Sequence, residues 1–138
     1  MPSPLFTDDF EKVDVIVAGF PCQSFSIAGK QRGFLDPRGH LFYEVGKFIS
    51  AYKPRFVFLE NVPNLMEHDE GRTFQIILDT LVKKRGYHVI GVERQDDGTL
   101  QFNPKAFVRN SRDFGVPQNR PRTYIIGFDT ERFPPERL

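Results

Sequence analysis

Two short apolar runs, each followed by a stretch of helical period, set most of what this chain can become. The first run reads Val13-Asp14-Val15-Ile16-Val17-Ala18-Gly19-Phe20. Apolar side chains nearly fill both of its faces, which predicts a strand buried on two sides. Leu41, Phe42, Val45, Phe48, Ile49 and Tyr52 then recur on one helical face, and Pro54 closes that helix. The second run is Phe56-Val57-Phe58-Leu59, ending at Glu60-Asn61. A second helix places Phe74, Ile77, Leu78 and Leu81 on one side; Lys83, Lys84 and Arg85 suit its C-terminal dipole, and Gly86 its stop. Residues 87–92 predict a third strand, 95–104 an exposed polar excursion, Thr123-Tyr124-Ile125-Ile126-Gly127-Phe128 a fourth strand, and 131–138 a loose tail. Strand, helix, strand, helix, strand is the order of an α/β sheet with parallel crossovers.

Between the first strand and the first helix lies a long loop punctuated by Pro21, Gly29, Gly33, Pro37 and Gly39. Long loops in compact domains are usually functional or mobile. A chain of 138 residues with 39% hydrophobic and 27% charged side chains fits one soluble globular domain. One cysteine excludes an internal disulfide and fits a reducing compartment. No apolar run approaches the roughly 20 residues that span a bilayer. The first ten residues lack the basic start and apolar stretch of a secretion signal.

The net charge of +1 says little about partners, but its distribution says more. Lys105, Arg109, Arg112, Arg120 and Arg122 face a single negative neighbour, Asp113. That stretch is either a solvated loop or a phosphate-facing surface.

Three elements could carry chemistry. Cys22 follows the first strand at the expected carboxyl edge of a parallel sheet, where open α/β folds bind ligands. A lone cysteine is often a small buried hydrophobe. Here it stands among Pro21, Gln23, Ser24 and Ser26, near solvent, where a thiolate could act as nucleophile. Glu60 ends the second strand at the same edge, either as a turn carboxylate or as an acid whose partial burial suits proton transfer to a substrate. In Gln118-Asn119-Arg120-Pro121-Arg122 the two arginines alternate, so extended backbone points both to one side. They are ordinary surface arginines, or a pair that holds a carboxylate and a polar substrate edge. His40, His68 and His88 have no metal-like spacing, so no metal site is expected.

Jointly, these elements resemble the C5-cytosine-specific DNA methyltransferases, most closely the bacterial restriction-modification type. Gly19-Phe20-Pro21-Cys22-Gln23-Ser24 resembles their Pro-Cys-Gln motif, Glu60-Asn61-Val62 their Glu-Asn-Val motif, and Gln118-x-Arg120-x-Arg122 their Gln-x-Arg-x-Arg motif. The resemblance extends over nearly the whole chain. It implies a partial Rossmann-like, S-adenosylmethionine-dependent methyltransferase fold, mostly parallel with an antiparallel last strand. It implies that Cys22 adds to C6 of a flipped-out cytosine in double-stranded DNA. Glu60 would hydrogen-bond N3 and the exocyclic amine, and C5 would take a methyl group from S-adenosylmethionine. Arg122 would bind O2, Arg120 would hold Glu60 within salt-bridge reach, and Asn61 would brace the loop around Cys22. Gln23, Ser26, Lys30 and Arg38 match DNA-contacting positions, and Pro21 and Leu41 match positions that touch the cofactor.

Other family features are missing from residues 1–138. No two glycines are spaced as Gly-x-Gly, so the Gly-rich opening of the cofactor site is missing, as is the acidic ribose-binding residue after it. The target-recognition region and the last motifs are absent too. The expectation is therefore a single incomplete catalytic domain, the central part of a methyltransferase core in the bacterial cytoplasm. Alone it should neither bind S-adenosylmethionine tightly nor methylate DNA, and a second polypeptide could complete it. The competing readings are a tRNA cytosine-5 methyltransferase and a non-catalytic fragment or subunit of a split enzyme.

Overall fold

Apolar runs in the sequence become neighbouring strands of one twisted sheet. The computed structural model describes residues 12–20, 41–134 and 136. Strand β1 (Val15–Gly19) is followed by helix α1 (Leu41–Tyr52) and strand β2 (Phe56–Asn61). Two 3-10 turns lead to helix α2 (Arg72–Asp79), which widens into a π-helical turn at Thr80–Lys84. Gly86, at φ +72°, ends the helical stretch with a left-handed backbone that a side chain would oppose. Strands β3 (Tyr87–Val89), β4 (Val92–Arg94), β5 (Leu100–Phe102), β6 (Val108–Asn110) and β7 (Pro121–Asp129) complete the described chain.

The main sheet runs β1-β2-β7-β3, with β6 also paired to β7. Strands β1 and β2 are parallel, as expected for sequential strands joined by one helix. Strand β7 runs antiparallel to β2, β3 and β6. Its first residues therefore lie at the carboxyl ends of β1 and β2.

One sheet face carries the core. Val57, Leu59 and Ile125 are buried there and join Phe42 and Ile49 of α1 and Phe74, Ile77 and Leu78 of α2 in one cluster. Apolar burial of this extent is the main driving force for such a fold. On the other face, Phe56 packs edge-on against Phe128 at 5.2 Å and Phe58 lies 5.6 Å from Tyr124.

Three expectations from the sequence need correction. β1 is not buried on both faces: Val15 and Val17 are 49% and 71% exposed, because β1 is the edge strand among the described residues and the β1–β2–β7 face opposite the core is only partly covered. Residues 87–92 are not one strand. Gly91, at φ +82°, turns the chain after β3 and sends β4 out of the sheet. The expected polar excursion contains β5, which pairs with β4 as an antiparallel hairpin. Its turn is built by Asp97, whose Oδ1 accepts from Thr99 N and Oγ1 at 2.9 and 2.6 Å, and by Gly98 at φ +84°.

Candidate functional site

The ends of β1 and β2 and the start of β7 meet at one sheet edge. In register, Gly19 faces Glu60 on the parallel side, and Glu60 and Asn61 face Tyr124 and Thr123 on the antiparallel side. Diagonal neighbours on one face lie about 7–8 Å apart, a span that arginine covers. Arg122 is the diagonal neighbour of Glu60, and its Nε stands 3.0 Å from Glu60 Oε1. Both side chains are partly buried, at 21% and 34% exposure, so solvent screens this pair less than a surface ion pair. Arg122 Nη1 donates to the carbonyl of Pro121 at 2.8 Å, which fixes the plane of the guanidinium.

Arg120 does not fill the role expected of it. It is exposed and lies beyond the first residue of β7, two residues farther from Tyr124 than Arg122 is. At about 3.3 Å per residue, that distance takes its side chain away from Glu60. Its backbone N donates to Asn110 Oδ1 at 3.0 Å instead, holding the segment before β7 against β6. Arg109 stands opposite Arg122 in the β6–β7 register. Like charges so placed repel. Arg109 turns its Nη1 to the carbonyls of Ala106 and Val108, at 3.1 and 2.8 Å.

Asn61 is buried, at 4% exposure, and both ends of its amide are hydrogen-bonded. Nδ2 donates to the carbonyl of Phe20 at 2.8 Å, and Oδ1 accepts from Val62 N at 2.8 Å. This ties the end of β2 to the residue that leads into Pro21-Cys22. Thr123, fully buried, donates through Oγ1 to the carbonyl of Val62 at 3.2 Å and locks the start of β7 to the same turn. Sequence reasoning missed Thr123, since a threonine within a strand carries no separate signal. It also missed the part played by Gly19, although a glycine inside a strand marks a close approach.

Pro21, Cys22, Gln23, Ser26, Lys30 and Arg38 lie outside the described residues; Leu41 opens α1. Among the described residues no group of His, Cys, Asp and Glu is arranged to hold a metal ion. No helix among them is long and apolar enough to cross a membrane. A cavity of about 380 Å³ opens beside the site, lined by Phe58, Tyr124, Ile126, Phe107, Phe114 and Arg109 among others. Among the described residues no carboxylate lines its wall.

The chain matches the family described as C-5 cytosine-specific DNA methylase over residues 5–136. It is 48% identical over 118 residues to the Type II methyltransferase M.HpaII of Haemophilus parainfluenzae, covering 86% of this chain and 29% of that protein. It is 40% identical over 115 residues to the Type II methyltransferase M.HhaI of Haemophilus parahaemolyticus, covering 83% of this chain and 30% of that protein. The chain thus spans less than a third of the length of these two relatives. Among solved structures, the methyltransferase EhMeth of Entamoeba histolytica superposes with a TM-score of 0.57 at 24% identity, covering 83% of this chain and 32% of that one. That likeness concerns the fold.

Proposed function

The chain belongs to the C-5 cytosine-specific DNA methylase family, and from that premise we propose that it is the central catalytic part of a DNA (cytosine-5)-methyltransferase acting on double-stranded DNA in the bacterial cytoplasm. The observation that carries this reading is the Glu60–Arg122 pair, 3.0 Å apart, at the sheet edge where Asn61 grips the chain two residues before Cys22.

A cytosine offers that pair a matching edge: an acceptor at O2, an acceptor at N3 and a donor at the exocyclic amine. Arg122 commits Nε to Glu60 and Nη1 to Pro121, which leaves Nη2 to donate to O2. Glu60 accepts from the amine and, when protonated, donates to N3. As Glu60 gives its proton to N3, electron density is drawn from C6 and the Cys22 thiolate adds there: the sulfur–carbon bond forms, the C5–C6 double bond becomes single, and its electron pair moves to C5. C5 becomes the nucleophile that the reaction needs. Reaching the base at all requires that it leave the helical stack.

S-adenosylmethionine is the methyl donor implied for a methyltransferase of this family, and it supplies an electrophilic methyl group. The cavity beside the site offers it aromatic walls and one arginine but, among the described residues, no acid for ribose hydroxyls. Apart from Pro21 and Leu41, we assign the donor's pocket to residues other than these, and count a second polypeptide completing the domain among the partners.

The test is a chimera. The 118-residue matching segment replaces its counterpart in M.HpaII. The chimera should transfer methyl groups to the host's substrate. Cys22→Ala should abolish the transfer, and Cys22→Ser should leave a trace several orders of magnitude lower. A folded chimera that methylates normally with Cys22→Ala would refute the proposal. A folded chimera that binds cofactor and is inactive with Cys22 in place would favour the non-catalytic reading.

A further inference from the structure

Gly19 ends β1 directly beside Glu60, the two residues being partners in the parallel register. A glycine there weakens a strand, because it adds backbone freedom and no side-chain packing. Its backbone does not require it, since Gly19 is not among the glycines with positive φ. The space around it is tight. A Cβ built on Gly19 would lie 3.1 Å from Glu60 Oε2, tighter than ordinary van der Waals contact. At Gly46, by contrast, a Cβ would meet nothing within 4 Å.

The carboxylate of Glu60 is therefore bounded on two sides. Arg122 holds Oε1 at 3.0 Å, and the bare α-carbon of Gly19 leaves room for Oε2. The backbone of Gly19 cannot easily yield. It is paired to β2 on one side, and the next carbonyl, that of Phe20, is gripped by Asn61 at 2.8 Å. A methyl group at position 19 would thus displace the carboxylate rather than the strand. Because the two oxygens share one planar group, shifting Oε2 by a few tenths of an ångström also disturbs the alignment of Oε1 with Arg122.

We propose that Gly19 is a positioning residue of the site: by lacking a side chain it sets the orientation of the Glu60 carboxylate, keeping Oε1 on Arg122 and presenting Oε2 to the amine and N3 edge of the base. This rests on the reading of Glu60 as the base-binding acid. Gly127 makes a useful contrast. A Cβ there would meet Val57 Cγ2 at 2.7 Å, an apolar clash unconnected to Glu60.

The test is a double-mutant cycle on the whole chain, read by urea unfolding, with Gly19→Ala, Glu60→Ala and the double variant. Gly19→Ala should lower the folding equilibrium constant about fivefold with Glu60 present and not at all in the Glu60→Ala background. Gly127→Ala should cost the same in both backgrounds. If Gly19→Ala does not fold while the double variant does, the proposal is supported. Equal losses in both backgrounds, or two variants that both fail to fold, would overturn it. A second readout is methyl transfer by the chimera: Gly19→Ala should lower kcat with little change in the KM for DNA, and an unchanged kcat in folded Gly19→Ala would also overturn it. The unfolding cycle needs no catalysis. If Glu60→Gln in the chimera left methyl transfer intact, the active-site reading would fail while the coupling stood. If Glu60 proved essential without coupling to Gly19, only the role of Gly19 would fail.

Discussion

The side-chain amide of Asn61, at the end of β2, donates to the carbonyl of Phe20, just past the end of β1, at 2.8 Å. With its Oδ1 accepting from Val62, this buried side chain joins the end of β2, which carries Glu60, to the residue that precedes Pro21-Cys22 in the sequence. Asn61→Ala should cost about 1–3 kcal/mol, because it leaves the Phe20 carbonyl without its donor. Asn61→Asp should cost more at neutral pH, since it puts a buried anion against that carbonyl. Lowering the pH should recover part of the loss, as the protonated acid can donate again. Thermal unfolding of both variants across pH checks this ordering.

Arg122→Ala should destabilise the chain by about 1–2 kcal/mol, because Glu60 then keeps a partly buried charge without its partner. Arg120→Ala should change stability by less than about 0.5 kcal/mol, since an exposed arginine whose backbone does the holding contributes little. Chemical denaturation of the two variants checks that Arg122, and not Arg120 as the sequence suggested, holds Glu60.

That reassignment marks the limit of what the sequence could tell. The parallel β1–β2 pair was legible from two apolar runs joined by one helical segment. The antiparallel β7 was legible from the need to bring its first arginines to the Glu60 edge. The choice between Arg120 and Arg122 was not, because both alternate to the same side. Only the register, which sets Glu60 opposite Tyr124, decides which one reaches. The break after β3 was hidden because Ile90 and Val92 continue an apolar pattern across Gly91. The β4–β5 hairpin did leave a signal, Asp97-Gly98 between Val92 and Leu100, which the polar surroundings masked. The parts of the site carried by Cys22 and its loop lie outside the described residues.

Burial pushes the phenol of Tyr87 up to about 12 from its ordinary 10.0, and the nearby Asp129 carboxylate adds to this. Its hydroxyl donates to the carbonyl of Pro54 at 2.7 Å. The folded state thus favours the neutral phenol more than the unfolded chain does. The stability this gives is fully present below the unfolded value and is lost as pH rises from about 10 to about 12. Tyr87→Phe should lose the hydrogen bond at neutral pH and show a shallower decline over that alkaline range. Urea midpoints measured across it would reveal the difference.

The cavity beside Glu60 has no acid for ribose hydroxyls among the described residues, and the chain has no Gly-x-Gly spacing. Titration calorimetry of the chain by itself should show no saturable binding at micromolar concentrations. Micromolar or tighter binding would place a complete cofactor pocket within these 138 residues.

The most direct test of the account is to trap the covalent step. The chimera with M.HpaII is given its substrate DNA with 5-fluorocytosine at the target position. Fluorine replaces the C5 hydrogen, so after methylation there is no proton to lose and the thiolate cannot leave. Mass spectrometry of the digested complex should find the modified base attached to Cys22, and the adduct should diminish strongly with Glu60→Gln or Arg122→Ala. An enzyme that methylates ordinary DNA but forms no adduct, or forms it on another residue, would contradict the account.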